Sequence, residues 1–282
     1  MTNQPNPLSN HFRSPKLFLK LPSGGSYYSN DIIEMPENGE LPVFPMTSKD
    51  EMLMKNPDAL LNGEATIQLI KSCIPNVKNP LNCISPDVEA MLVAITGASN
   101  NDEINLSAQC PECDEMAEVI VSAEAILETQ KPFEGNSTFN IGDDLVIEVQ
   151  PFTYNSTVQA GISTFQSTRS LQSISELTDD MDRLKMFNDS FVKLAATNFQ
   201  LLVDSVRKIT IKGDEDIVVT DKKQILEFLE NCDSAIGKKI DDTATSLQTS
   251  GIEKEATFEC EKCKKTFDAT VGFDPVNFFT GS

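Results

Sequence analysis

No tryptophan occurs in the 282 residues, and histidine occurs once, at His11. A lone histidine in a polar N-terminal stretch excludes the usual Ser-His and Cys-His catalytic pairs. G-x-S-x-G, H-E-x-x-H and the kinase signatures are absent as well. No apolar run approaches the ~18 residues a membrane helix needs. The opening MTNQPNPLSNHFRSPK lacks the apolar centre of a secretory signal, so the expectation is an intracellular protein with reduced cysteines. Cations are scarce, with 23 Lys and Arg against 43 Asp and Glu and a net charge of −20. So acidic a surface repels phosphate backbones, keeps the chain soluble and favours basic partners. Carboxylates this numerous fall close together by chance, and no pair stands apart as an acid and a base. The composition therefore argues against nucleic acid and membrane as partners and gives no sign of an enzyme.

Cysteine, by contrast, is present seven times. Cys110-Pro-Glu-Cys113 and Cys260-Glu-Lys-Cys263 form two C-x-x-C pairs in matching surroundings. The first lies in EINLSAQCPECDEMAEVIVS and the second in EATFECEKCKKTFDATVGF, each reading as strand, turn, strand. Structural zinc takes four thiolate or imidazole ligands in a tetrahedron, and two such hairpin tips supply two ligands each. The pairs lie far apart in sequence, so they must meet through the fold, where a metal would staple the two hairpins and contribute to folding. Lys262, Lys264 and Lys265 flank the second pair and would offset the thiolate charge, whereas Glu112, Asp114 and Glu115 flank the first. A thioredoxin-like C-x-x-C precedes a helix, while β-prone residues follow both pairs here. Redox-active or unliganded cysteines remain the alternatives to zinc at Cys110, Cys113, Cys260 and Cys263. Cys73 and Cys232 fall on apolar helix faces and read as core. Cys83 lies in a polar loop without an evident role.

Along the chain, residues 1–16 read as a flexible tail. Leu17–Leu21 predicts a strand, followed by a Pro-Ser-Gly-Gly hairpin turn rather than a phosphate loop, because no G-x-x-x-x-G-K-[ST] follows. ELPVFPM predicts an edge strand. Ser48 and Glu51 form a capping-box pattern, and Asn56-Pro57 breaks that helix. EATIQLIKSCI places Ile67, Ile70 and Ile74 on one face. Ser85-Pro86-Asp87 opens another helix, with Val88, Met91, Leu92 and Ile95 at helical spacing and Gly97 as its end. FNIGDDLVIEVQPF predicts a hairpin turning at Gly142-Asp143. Helices are expected over 156–177 and 180–209, then a small TIKGDEDIVVT hairpin, a helix capped by Thr220-Asp221, and a last helix over 233–249. The tail GFDPVNFFTGS carries Phe273, Phe278 and Phe279, placed either on the core or against a partner.

The expected fold class is α+β: a helical core with β-hairpins, two of them joined in a split four-cysteine zinc ribbon. The division is a tail at 1–16, a hairpin and helical region at 17–103, ribbon hairpins at 104–125 and 252–273, an inserted mainly helical domain at 126–251, and a tail at 274–282. LPSGGSYY, then MTSKDEML, NPDALLNGEATIQLIKSCI, SPDVEAMLVAI, the CPEC knuckle, DKKQILEFLENC and the second C-x-x-C together resemble the T4-like bacteriophage baseplate hub proteins. That family includes a hub subunit and a hub assembly chaperone. The resemblance covers about 17–125 and 200–270 and leaves the middle helices less clearly matched. It implies a structural or assembly role in the central hub of a contractile tail baseplate, through other phage baseplate and hub proteins as partners. It places the protein in the host cytoplasm during assembly, and in the virion tail if the piece is retained. It implies no catalytic residues, and it carries the knuckle cysteines onto Cys110, Cys113, Cys260 and Cys263. The second knuckle departs from the pattern by lacking the proline of the first. A zinc-ribbon nucleic-acid binder and a thiol-disulfide oxidoreductase are the competing functions.

Overall fold

A computed structural model of the chain describes residues 7–100, 102–133, 137–174 and 180–272. The aromatic tail expected at 274–282, with Phe273, lies outside them, as does the start of the N-terminal segment. The N-terminal half runs β1 (Leu17–Leu19), β2 (Leu41–Val43), α1 (Ser48–Met54), α2 (Pro57–Leu61), α3 (Glu64–Cys73) and α4 (Ser85–Ser99). β1 and β2 form an antiparallel pair with Phe18 opposite Pro42. The Pro-Ser-Gly-Gly turn therefore opens a long loop to β2 rather than a tight hairpin. Ahead of β1, the chain is already held at Arg13, whose guanidinium donates to Pro45 O at 2.6 Å and Ser72 O at 2.7 Å.

Helix α4 is apolar around most of its circumference, and Val88, Ala90, Met91, Leu92, Val93, Ala94 and Ile95 are all buried. A helix of that kind belongs at the centre of a core. Each fully buried aliphatic side chain there contributes about 1.5–3 kcal/mol. Two sequence expectations are corrected here. The cap of α1 is Thr47, whose side chain accepts from the Asp50 N–H while Asp50 accepts from the Thr47 N–H. The Ser48–Glu51 pattern overlaps this box one residue late. Gly97 does not end α4, which continues to Ser99. A Cβ at Gly97 would stand 2.5 Å from the Ala123 Cβ, so the glycine lets the segment at Ala123 pack closely.

The chain continues with β3 (Glu103–Gln109), β4 (Met116–Ser122) and α5 (Ala123–Glu128). Next come β5 (Thr138–Ile141), β6 (Leu145–Val149), α6 (Tyr154–Ile174), α7 (Asp180–Ser205), β7 (Val206–Ile211) and β8 (Ile217–Val219). Strands β5 to β8 form one antiparallel sheet in sequence order. The helix expected through 209 thus stops at Ser205. Val206 and Ile209 belong to a strand whose Ile209 lies opposite Ile147 of β6. α8 (Lys222–Asn231) and α9 (Ser234–Gln248) complete this part, capped by Asp221 and Asp233. β9 (Glu255–Glu259) and β10 (Thr266–Thr270) close the described chain.

The buried residues form two cores. One gathers β1, β2, α1–α5 and the two C-x-x-C hairpins; the other lies between the β5–β8 sheet and α7, α8 and α9. The strand-like contact between Lys131 and Gly251, with hydrogen bonds of 2.8 and 3.1 Å, brings together the two ends of the segment holding the second core. Gly251 has φ +104° and sits where a Cβ would approach the Pro86 Cβ to 3.2 Å. Among the described residues no helix is long and apolar enough to cross a membrane.

Candidate metal centre

Each C-x-x-C pair caps a two-stranded ladder. β3 and β4 run in register from Glu103–Ser122 to Gln109–Met116. β9 and β10 run from Glu255–Thr270 to Glu259–Thr266. The turns beyond them are built alike. Cys110 N–H donates to Glu115 O at 2.8 Å and Asp114 N–H to Cys110 O at 3.0 Å. At the second tip Cys260 N–H donates to Lys265 O at 3.0 Å and Lys264 N–H to Cys260 O at 2.8 Å. Asp114 and Lys264 share a left-handed φ of 58°. Leu106, Ala117 and Phe258 anchor both hairpins in the first core, and Phe258 stacks on Phe267 at 5.7 Å.

The fold brings the two tips face to face. Cys110 Sγ lies 3.6 Å from Cys263 Sγ, and Cys113 Sγ lies 3.5 Å from Cys260 Sγ. All four sulfurs fall within 4.8 Å of one another. These separations are far beyond the ~2.05 Å of a disulfide. They approach the roughly 3.8 Å edge of a tetrahedron with ~2.3 Å zinc–sulfur bonds. Cys110 and Cys260 are buried, Cys113 is half-buried and Cys263 is exposed. The four residues named from sequence are therefore one cluster, and its donor set fits a tetrahedral metal ion. Four sulfur ligands would fill such an ion's coordination sphere and leave no position for a reacting water.

The charges are arranged reciprocally. Lys262 reaches Glu115 at 3.0 Å, and Lys265 pairs with Glu112. Each tip thus presents to the other the charge it lacks, related by the same approximate two-fold that pairs first cysteine with last. Sequence reasoning assigned the lysines to the thiolate charge alone. The opposite signs at matching positions were the available signal. Backbone N–H groups at Cys263 and Lys262 help lower the Cys260 pKa to about 7. At Cys113 the N–H of Glu115 favours the thiolate, but burial and the other three thiols outweigh it and push the pKa up to about 12. Four crowded sulfurs do not all ionise on their own; a bound divalent cation makes that state favourable.

The remaining cysteines separate. Cys73 is buried in α3, as expected. Cys83 is also fully buried, contrary to its polar sequence neighbours, and its thiol donates to Asn79 O at 3.6 Å. Cys232 caps α8, half-buried against the second core rather than on a helix face. His11 is exposed in a short 3-10 turn, apart from the cluster. One group escaped the sequence reading. Asp87, in the first turn of α4, is fully buried and accepts hydrogen bonds from the Ser23 N–H at 3.0 Å, the Ser23 hydroxyl and the Tyr28 hydroxyl. Burial raises its pKa to about 6, against those hydrogen bonds. The SGGSYY loop is held to α4 by this carboxylate.

With the ribbon and both cores in place, the chain matches the model of the T4 bacteriophage base plate protein family over residues 15–280. The chain belongs to that family. The match includes both cysteine tips and α6 and α7, the helices that the sequence resemblance left less clear. No curated protein and no solved structure matches it. The four-sulfur cluster is thus a feature of a phage baseplate protein, whose family points to a structural rather than a catalytic role.

Proposed function

We propose that this chain is a structural or assembly component of the central hub of a contractile tail baseplate, acting by protein–protein interaction. Zn²⁺ bound by Cys110, Cys113, Cys260 and Cys263 holds the two ribbon hairpins together. The family match along nearly the whole chain carries this reading, and the resemblance of the N-terminal strings to hub proteins directs it to the hub. In this reading the protein works in the host cytoplasm during assembly, and residues 126–251 form a unit inserted between the ribbon hairpins. The contact between Lys131 and Gly251 supports that division. In this reading the zinc is structural, because four sulfurs leave the metal no open position, and the baseplate family favours a role without catalysis. Lys262 and Lys265 are engaged by Glu115 and Glu112. That argues against the nucleic-acid ribbon, which needs free cations.

The test is affinity purification of the tagged chain from infected producing cells, with identification of what co-purifies. Recovery of other baseplate proteins is expected. Their presence with this chain in finished particles would mark a subunit, and their presence in lysate alone an assembly factor. Recovery of nucleic acid or a polymerase in their place would overturn the proposal.

A further inference from the structure

α6 and α7 pack against each other along a seam of small polar side chains. Ser163 and Thr197 share a hydrogen bond of 2.8 Å, and the Ser156 hydroxyl donates to Asp204 at 2.8 Å. Ser163, Ser167 and Ser190 are buried there. Toward its C-terminal end α7 packs Phe199, Leu202 and Val203 into the second core, but its first half leaves large apolar side chains outside. Leu184, Phe187, Phe191 and Val192 are 58, 53, 66 and 66% exposed. This inverts the usual pattern, in which a helix turns its apolar stripe inward and its polar residues outward. Leu184, Phe187 and Phe191 recur at i, i+3 and i+7, on a face lying roughly 100° round α7 from the seam at about 100° per residue. Helices of a four-helix bundle present faces to two neighbours in this way.

We propose that this face of α7 is the contact between two copies of the chain, joining two α6–α7 hairpins into a four-helix bundle. Three features favour a second copy as the occupant. First, the face is uncharged from Leu184 onward: Leu184, Phe187, Asn188, Phe191, Ala195 and Asn198 follow one another along it. A chain of net charge −20 repels its own copy over most of its surface, and a neutral face is where two copies can meet. Second, the face is self-complementary. An antiparallel pair crossing between Phe187 and Asn188 sets Leu184 of each helix on Phe191 of the other. It also brings the two Asn188 amides together near the axis, as a two-fold interface requires and as a buried asparagine fixes register in helix pairs. Third, the area fits a reversible dimer. The exposed parts of Leu184, Phe187 and Phe191 amount to roughly 300 Å² of apolar surface. Weak interfaces bury under about 1,200 Å² in total, or about 600 Å² per partner, a little over half of it apolar.

Sedimentation of the purified full chain over a wide concentration range tests this, independently of any baseplate partner. A monomer–dimer equilibrium is expected. Phe187→Asp or Phe191→Asp should weaken it by roughly 30-fold or more, and Met52→Asp, at a 73% exposed residue on α1, should leave it unchanged. Circular dichroism checks that the variants keep their helices. Hydrogen exchange of the unaltered chain gives a second measurement: amides from Leu184 to Ala195 should gain protection as concentration rises. A monomer at all concentrations, a dimer indifferent to Phe187→Asp, or protection arising on another face would overturn the proposal.

Discussion

From Val88 to Ile95, helix α4 buries every large apolar side chain it carries, whereas α7 leaves Leu184, Phe187, Phe191 and Val192 in solvent. Both helices are amply apolar, but the material around them differs. α4 is enclosed by α3, α5, β1, β2 and the ribbon, and even its buried Asp87 is supplied with hydroxyl and amide donors. α7 meets α6 along a seam that includes buried serines and a threonine, packs Phe199 into the second core, and turns Phe187 and Phe191 away. Burial of apolar area is what stabilises a domain. The region around α4 and the second core therefore carry the stability of the free chain, and the outer face of α7 contributes little until something covers it. The ribbon belongs with the first region, because Phe258 and Leu106 share a core with α4.

The comparison predicts a graded set of effects. Cys110→Ser, in the buried half of the cluster, should abolish metal binding and cost on the order of 5 kcal/mol. Metal analysis beside a denaturant titration would show it; a variant that keeps its metal and midpoint would detach the ribbon from the stable region. Gly97→Val should cost about 2–3 kcal/mol by forcing α4 away from Ala123, read as a lowered urea midpoint at constant slope.

Asp87 gives a pH signature. Its folded pKa of about 6 stands above the ordinary 3.8, so the folded chain holds this proton more tightly than the unfolded one. The associated stability is present below about pH 4 and is lost as pH rises through about 6. A gap of that size corresponds to about 3 kcal/mol. Metal binding runs the opposite way, because protons compete for the thiolates. The informative quantity is therefore the difference between the unaltered chain and Asp87→Asn, which should lack the fall between pH 4 and pH 6. Parallel profiles would mean that the carboxylate is not buried as described. The smallest effect is expected on α7: Phe187→Asp, measured dilute enough to keep the chain monomeric, should shift stability by no more than about 0.5 kcal/mol. A large loss would show that this side chain is already packed in the free molecule.

What could be read in the sequence follows from whether a feature is local. The cysteine pairs were legible because ligand type and C-x-x-C spacing are chemical constraints that any fold must respect, and the matching flanks named both hairpins. The start of α4 was legible from Ser85-Pro86. Gly97 was misread because a glycine that ends a helix and one that admits a neighbour look alike until Ala123 is placed beside it. Thr47–Asp50 and Ser48–Glu51 are both capping patterns, and only the backbone selects between them. Val206 and Ile209 fit a helical period as well as a strand, and pairing with β6 decided it. The burial of Cys83 and Asp87, and the crossed ion pairs of the two tips, depend on contacts between distant segments that no window of sequence contains.

The central claim is that the two tips share one metal ion. The most direct test is X-ray absorption at the zinc edge, with zinc quantified, on the chain purified without added metal. One zinc per chain with four sulfur neighbours at about 2.3 Å is the predicted result. A chain that carries no zinc and takes up none, yet unfolds at the same temperature with or without a chelator, would contradict the account.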